Sequence, residues 1–114
     1  MIHRALANRE DRPVSHNPAI RKRVLLEVGE LPGLTNLSQA VFAPGDTAPG
    51  HEHADMWEVF FVRSGSGSIR VNGKEFRLER DVCWAVEPGE RHEIVNDGRE
   101  DLILLYFGLR DSHG

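Results

Sequence analysis

Residues 50–58 read GHEHADMWE: two histidines one residue apart, then a glutamate, in a chain with only six histidines to place. In a β-strand side chains return to one face at every second residue. His51 and His53 would then project together and could bind one ion, while Glu52 faces the other way. Glu58 has the wrong parity to join them on one continuous strand. The intervening ADMW leaves room for a turn or bulge, after which Glu58 points inward from the next strand beside Phe60 and Val62. A carboxylate between apolar neighbours is unfavourable as a buried anion unless something neutralises it, and a divalent cation would do so. His92 is the fourth candidate. It follows the turn EPGER and opens the run HEIVN, and strand ends are where ligands from separate strands converge.

The elements that must position these groups are short. From residue 24 onward, apolar or β-branched runs alternate with Gly, Pro, Asn and Asp clusters, the pattern of an all-β domain. Strands are expected at 24–28, 37–43, around His51, and at 57–63, 68–71, 74–78, 82–86, 92–96 and 101–109. Asn72-Gly73 tolerates positive φ and predicts a type I′ hairpin turn between two of them. No stretch sustains a helical period, so any helix belongs to residues 1–20. Nine short strands need closure or double layering to protect their edges, which makes a sandwich or barrel the natural architecture.

At the histidine cluster the sequence resembles the cupin superfamily. Gly45, five residues, His51, one, His53, four, Glu58, six, Gly65 matches the first cupin motif at each signature position. The segment EPGERHEIVN is similar to the second, with Gly89, His92 and Asn96 in place. Two positions depart from it: Glu87 stands where a proline is usual, with Pro88 after it, and Asp81 or Arg80 replaces the opening glycine. The resemblance covers roughly residues 37–109. It implies a jelly-roll (double-stranded β-helix) barrel with His51, His53, Glu58 and His92 as metal ligands.

Such a donor set suits a divalent transition metal, Fe, Mn, Ni, Co or Zn, and affinity order alone does not choose among them. An octahedral ion keeps two positions for water, oxygen or substrate, and a tetrahedral zinc keeps none. The implied activity is metal-dependent chemistry on a small organic molecule, of dioxygenase or isomerase type. The competing reading is a non-catalytic ligand- or metal-binding or sensing module, because no clear general acid or base accompanies the ligands. Gln39, Asp55, Asn96 and Tyr106 are the candidates for that role. Asn96 equally suits a turn-closing role through backbone hydrogen bonds, and Tyr106 a core role. Trp57, Phe60, Phe61 and Trp84 suggest an apolar pocket wall. His3, His16 and His113, in terminal segments, are expected in solvent and unrelated to the metal.

Composition bounds the rest. At 114 residues, 39% hydrophobic and 28% charged, the chain reads as one globular domain, with a basic arm over 1–23 and the barrel over 24–114. The arm holds six bases against two acids, +4, which leaves eight bases against sixteen acids, −8, for the remainder of a chain of net charge −4. With no aromatic residues among its bases and an acidic body behind it, the arm argues against nucleic acid and for contact with its own or a neighbour's acidic surface. The longest apolar run, Leu102–Phe107, is far below the roughly 20 residues that span a bilayer, so no membrane partner is expected. A charged N-terminus and a lone cysteine, Cys83, point to the cytoplasm, with Cys83 expected buried and inert. The runs WEVFFVR and LILLYF are apolar on both faces. Something must cover the second face, either the N-terminal segment or another subunit, and a homodimer is the expected solution.

Overall fold

The structure is a computed structural model and describes residues 1–110. A single 3₁₀ turn, Leu6–Asn8, is followed by ten strands: β1 (Asp11–Val14), β2 (Asn17–Leu26), β3 (Leu34–Phe42), β4 (Thr47–His51), β5 (Met56–Ser64), β6 (Gly67–Val71), β7 (Lys74–Leu78), β8 (Cys83–Val86), β9 (His92–Val95) and β10 (Leu102–Arg110). All pairings are antiparallel. One sheet has the order β1-β2-β3-β10-β5-β8 and the other β4-β9-β6-β7. From β3 onward the chain crosses between the sheets at almost every connection, and the hairpin β6–β7 is the exception. This is the expected all-β jelly roll.

Register decides what faces the interior. In the larger sheet, Ala40 and Phe42 of β3, Leu102 and Leu104 of β10 and Phe60 and Val62 of β5 share the inward parity. Ile69 of β6 and Ile94 of β9 meet them from the smaller sheet, and all are nearly or fully buried. At the hairpin, Asn72 (φ 49) and Gly73 (φ 83) both take positive φ between paired Val71 and Lys74, as the type I′ turn requires. Asp81 also has positive φ (68), at the position where the second motif usually opens on glycine; aspartate tolerates the left-handed region better than most residues.

The nine expected strands are present, and β1 is an additional one. Residues 11–14, DRPV, contain a proline and two charges, which an edge strand tolerates and a central one does not. β2 starts at Asn17, so residues 11–26 form the outer edge of the larger sheet. Three bases of the first 23 residues lie on the chain's own acids. Arg4 donates to both oxygens of Glu30 (2.5 and 2.6 Å), and Arg9 and Arg12 share Glu27 (3.1 and 3.0 Å). Arg4, with help from the Glu27 amide, holds the Glu30 carboxyl at about 2.

Cys83 is exposed, not buried. β8 is an edge strand, and Cys83 takes the outward parity opposite Phe61. The same parity leaves Trp57 (43%) and Phe61 (36%) on the outer face of the sheet, so the apolar second faces read from the sequence are present and partly exposed among the described residues.

Asn96 closes a turn by backbone hydrogen bonds, one of the two roles open to it. Fully buried, its Nδ2 donates to the carbonyls of Phe42 and Glu100 (2.8 Å each) and its Oδ1 accepts from the Gly98 amide (2.9 Å). One side chain thereby ties the ends of β3 and β9 to the turn before β10, supplying partners to groups that would otherwise be buried unpaired.

Candidate metal centre

Glu58 shares the inward parity of Phe60 and Val62 in β5, as expected, and is 9% exposed. His92 opens β9 and is the cross-strand partner of His51, the last residue of β4. The expected shared strand face for His51 and His53 is not what the fold uses, because β4 ends at His51 and His53 lies in the connection to β5. The Gly89 amide, from the turn before His92, donates to the His53 carbonyl (2.8 Å) and ties the two motif loops together.

The four side chains meet. Glu58 Oε1 lies 3.1 Å from His53 Nε2, 3.1 Å from His92 Nε2 and 3.5 Å from His51 Nε2. Ligating atoms of His51, Glu58 and His92 all fall within 4.8 Å of one another. His53 stands further out, its ring 6.4 Å from that of His92, and is about one third exposed.

Backbone carbonyls set the imidazole tautomers. His51 Nδ1 is 3.0 Å from the Pro49 carbonyl and His92 Nδ1 is 3.2 Å from that of Glu90; a carbonyl only accepts, so each Nδ1 carries the hydrogen. In neutral rings the Nε2 lone pairs then face a carboxylate that also only accepts. Glu58 Oε1 and His92 Nε2 are both buried without a hydrogen-bond partner among the described residues, although 3.1 Å apart, because the pair is not aligned as a hydrogen bond. Burial pushes the Glu58 carboxyl up, but the imidazoles of His51 and His92 outweigh it and hold it at about 2. Glu58 in turn raises His51 against burial, whereas burial lowers His53. Imidazole nitrogens and a buried carboxylate oxygen converging on one point are, with the rings neutral, a donor set that fits a divalent ion.

His51, His53 and Glu58 of the cluster line a cavity of about 220 Å³, walled by Phe42, Phe60, Ile94 and Leu104 and bordered by Ser15 and His16 of the β1–β2 turn. His16 is exposed, as expected, yet it lines this cavity and stacks on His51 at 4.8 Å between ring centroids, so it is not remote from the cluster. Its place depends on where the β1–β2 turn packs, which no local pattern announces. His3 is exposed, and His113 lies outside the described residues. Of the candidate acids and bases only Tyr106 lines the cavity. Burial raises its hydroxyl, tempered by Ser38, and its ring stacks on Phe60. Gln39 faces outward and binds Arg63, Asp55 pairs with Arg110 (3.3 Å), and Asn96 is occupied by backbone. Of the expected aromatic wall, Phe60 alone lines this cavity. Trp57 and Phe61 have the outward parity, and Trp84 packs on Phe76.

Residues 38–108 match the family described as the cupin domain. The chain belongs to the cupin family. Among curated relatives this cupin is 38% identical over 95 residues to the tetracenomycin polyketide synthase protein TcmJ of Streptomyces glaucescens, matching 81% of this chain and 62% of that protein. It is 35% identical over 63 residues to an oxalate-binding protein of Thermotoga maritima, matching 54% of this chain and 51% of that one. The matches thus span between half and two thirds of those relatives. The fold superposes on a Thermotoga maritima structure described as a predicted oxalate decarboxylase with a TM-score of 0.88 at 20% identity, covering 94% of this chain and 97% of that chain. A cupin 2 conserved barrel domain protein from Salinispora arenicola gives 0.75 at 23% identity, with 99% and 91% covered. No helix among the described residues is long and apolar enough to cross a membrane.

Proposed function

We propose that His51, His53, Glu58 and His92 hold one divalent transition-metal ion and that this cupin acts through it on a small organic molecule in the adjoining cavity, in chemistry of dioxygenase or isomerase type. The observation that carries the reading is the convergence of three imidazole Nε2 atoms on the buried Oε1 of Glu58, which has no aligned hydrogen-bond partner among the described residues. When bound, the metal would supply Lewis acidity or, as Fe(II), a site for dioxygen. The chain's own contributions are ligation, an apolar wall from Phe42, Phe60 and Leu104, and Tyr106 in the cavity lining. At about 220 Å³ the cavity lies below the roughly 300–1,000 Å³ of drug-sized pockets, which favours a small substrate over an enclosed polycyclic one. The relative named for binding oxalate supports a small oxygen-bearing ligand.

The test is metal analysis of purified protein followed by oxygen uptake and product analysis with catechols, diketones and thiols under Fe(II). Turnover in wild type and its loss in folded Glu58→Ala is the expected result. Tight binding of these compounds with no conversion under any metal would instead establish the second reading, a non-catalytic binding or sensing module, which the lack of a second convincing acid or base in the cavity favours.

The partner we propose is a second copy of this chain, seated on the outer face of the larger sheet. Trp57, Phe61 and Cys83 stand exposed there beside half-buried Val59, Leu105 and Phe107, a continuous apolar surface of the kind that subunits bury. Light scattering should give the mass of a dimer for wild type and of a monomer for Trp57→Glu/Phe61→Glu; a monomeric wild type at micromolar concentration rules the interface out. An unpaired, exposed thiol also fits the reducing cytoplasm as the location.

A further inference from the structure

Lys22 lies in β2 between Ile20 and Val24, which are 0% and 4% exposed, and shares their inward parity. Its cross-strand partner Ala40 is a core residue. Lysine is an unusual choice for such a position, because the ammonium is strongly hydrated and seeks water or an acid. The other bases of the first 23 residues have partners: Arg4 has Glu30, Arg9 and Arg12 have Glu27, Arg21 has Asp11, and Arg23 donates to the Leu6 carbonyl. Lys22 has no hydrogen-bond or ion-pair partner among the described residues, and it lines the same cavity as Glu58, His51 and His53. The one carboxylate lining that cavity, Glu58, is already surrounded by imidazoles.

A half-buried lysine of inward parity, without an acid partner and lining a cavity walled in part by apolar side chains, suits an organic anion. We propose that Lys22 is the anion anchor of this cavity and that the ligand class is a small organic acid with an apolar body, its charged oxygens held by the Lys22 ammonium and its body against Phe42, Phe60 and Leu104. This rests on the reading that the cavity is the ligand site, and it adds the charge and shape of what enters. Asn36, whose Oδ1 accepts from Ser38 (2.7 Å), lines the same cavity and offers a neutral polar contact.

Benzoate and its uncharged isostere benzamide separate charge from shape. In titration calorimetry of the full chain, with metal content measured on each sample, wild type should bind benzoate in preference to benzamide. Lys22→Met should weaken benzoate by about 10- to 100-fold, the range of a hydrogen bond to a charged group, and leave benzamide and metal content unchanged. Lys22→Arg should restore most of the benzoate affinity. Benzoate binding unchanged in Lys22→Met, an equal loss for benzamide, or no benzoate binding by wild type each overturns the proposal. Failure of the metal reading looks different: protein that holds no metal yet keeps the Lys22-dependent preference for benzoate. Conversely, benzoate binding abolished by His92→Ala but untouched by Lys22→Met would place the anion on the metal and dismiss Lys22.

Discussion

Replacing His92 by alanine is expected to strip the protein of stoichiometric metal. Changes to groups that merely orient a ligand weaken metal binding by about 10- to 100-fold, and loss of a buried ligand should exceed the upper end of that range. His92 is the least exposed of the three histidines at the cluster (2%), its tautomer is set by the Glu90 carbonyl, and its Nε2 has no other hydrogen-bond partner among the described residues. His53 sits on a connection and is about one third exposed, so His53→Ala should lose less, about 10-fold. Elemental analysis after dialysis against a weak chelator reads the series, and far-UV circular dichroism controls for folding. His51→Ala, at a less buried position, keeps the comparison available if the His92 variant misfolds. One metal per chain retained by both His51→Ala and His92→Ala would refute the ligand assignment.

The second large effect is on stability and separates two glycines of the same motif. Gly45 (φ +89) has open space around the position of a Cβ, so Gly45→Ala meets only the strain of the left-handed backbone, about 1 kcal/mol. Gly65 (φ +80) packs against the chain at the start of β10, and a Cβ there would fall inside contact distance of the Asp101 carbonyl oxygen, with Leu102 Cα also within 3.0 Å. Both neighbours are backbone and cannot rotate away. Gly65→Ala therefore adds overpacking of about 1–3 kcal/mol to the same conformational strain, for a total of about 2–4 kcal/mol. Against a typical stability of about 5–15 kcal/mol this removes a large fraction. Urea denaturation of the two variants side by side checks it, and equal midpoints would contradict the steric account.

Gly65 illustrates how a motif position can be read correctly while its purpose is hidden. The spacing from Glu58 to Gly65 is visible in the sequence, but the demand for glycine arises from the approach of β10, about 36 residues later. The reading of Asn96 went further, because an asparagine before Asp97-Gly98 has a local role in closing a turn. Cys83 failed for the opposite reason. An apolar run looks buried on both faces when read alone, and only strand order reveals that β8 is an edge whose outward parity is left exposed among the described residues.

By itself the sequence determined the all-β class, nine of the ten strands, the Asn72-Gly73 turn and the identities of the four residues that converge. Each of these depends on local quantities: period-two patterning, φ tolerance and fixed spacing within a motif. Tertiary structure alone decided that His53 reaches Glu58 from a connection, that His16 stacks on His51 and that Lys22 lines the same cavity. Those placements come from the packing of the β1–β2 edge beside the cavity and from register between strands distant in sequence. Parity says which residues share a face; only the packed fold says what that face encloses.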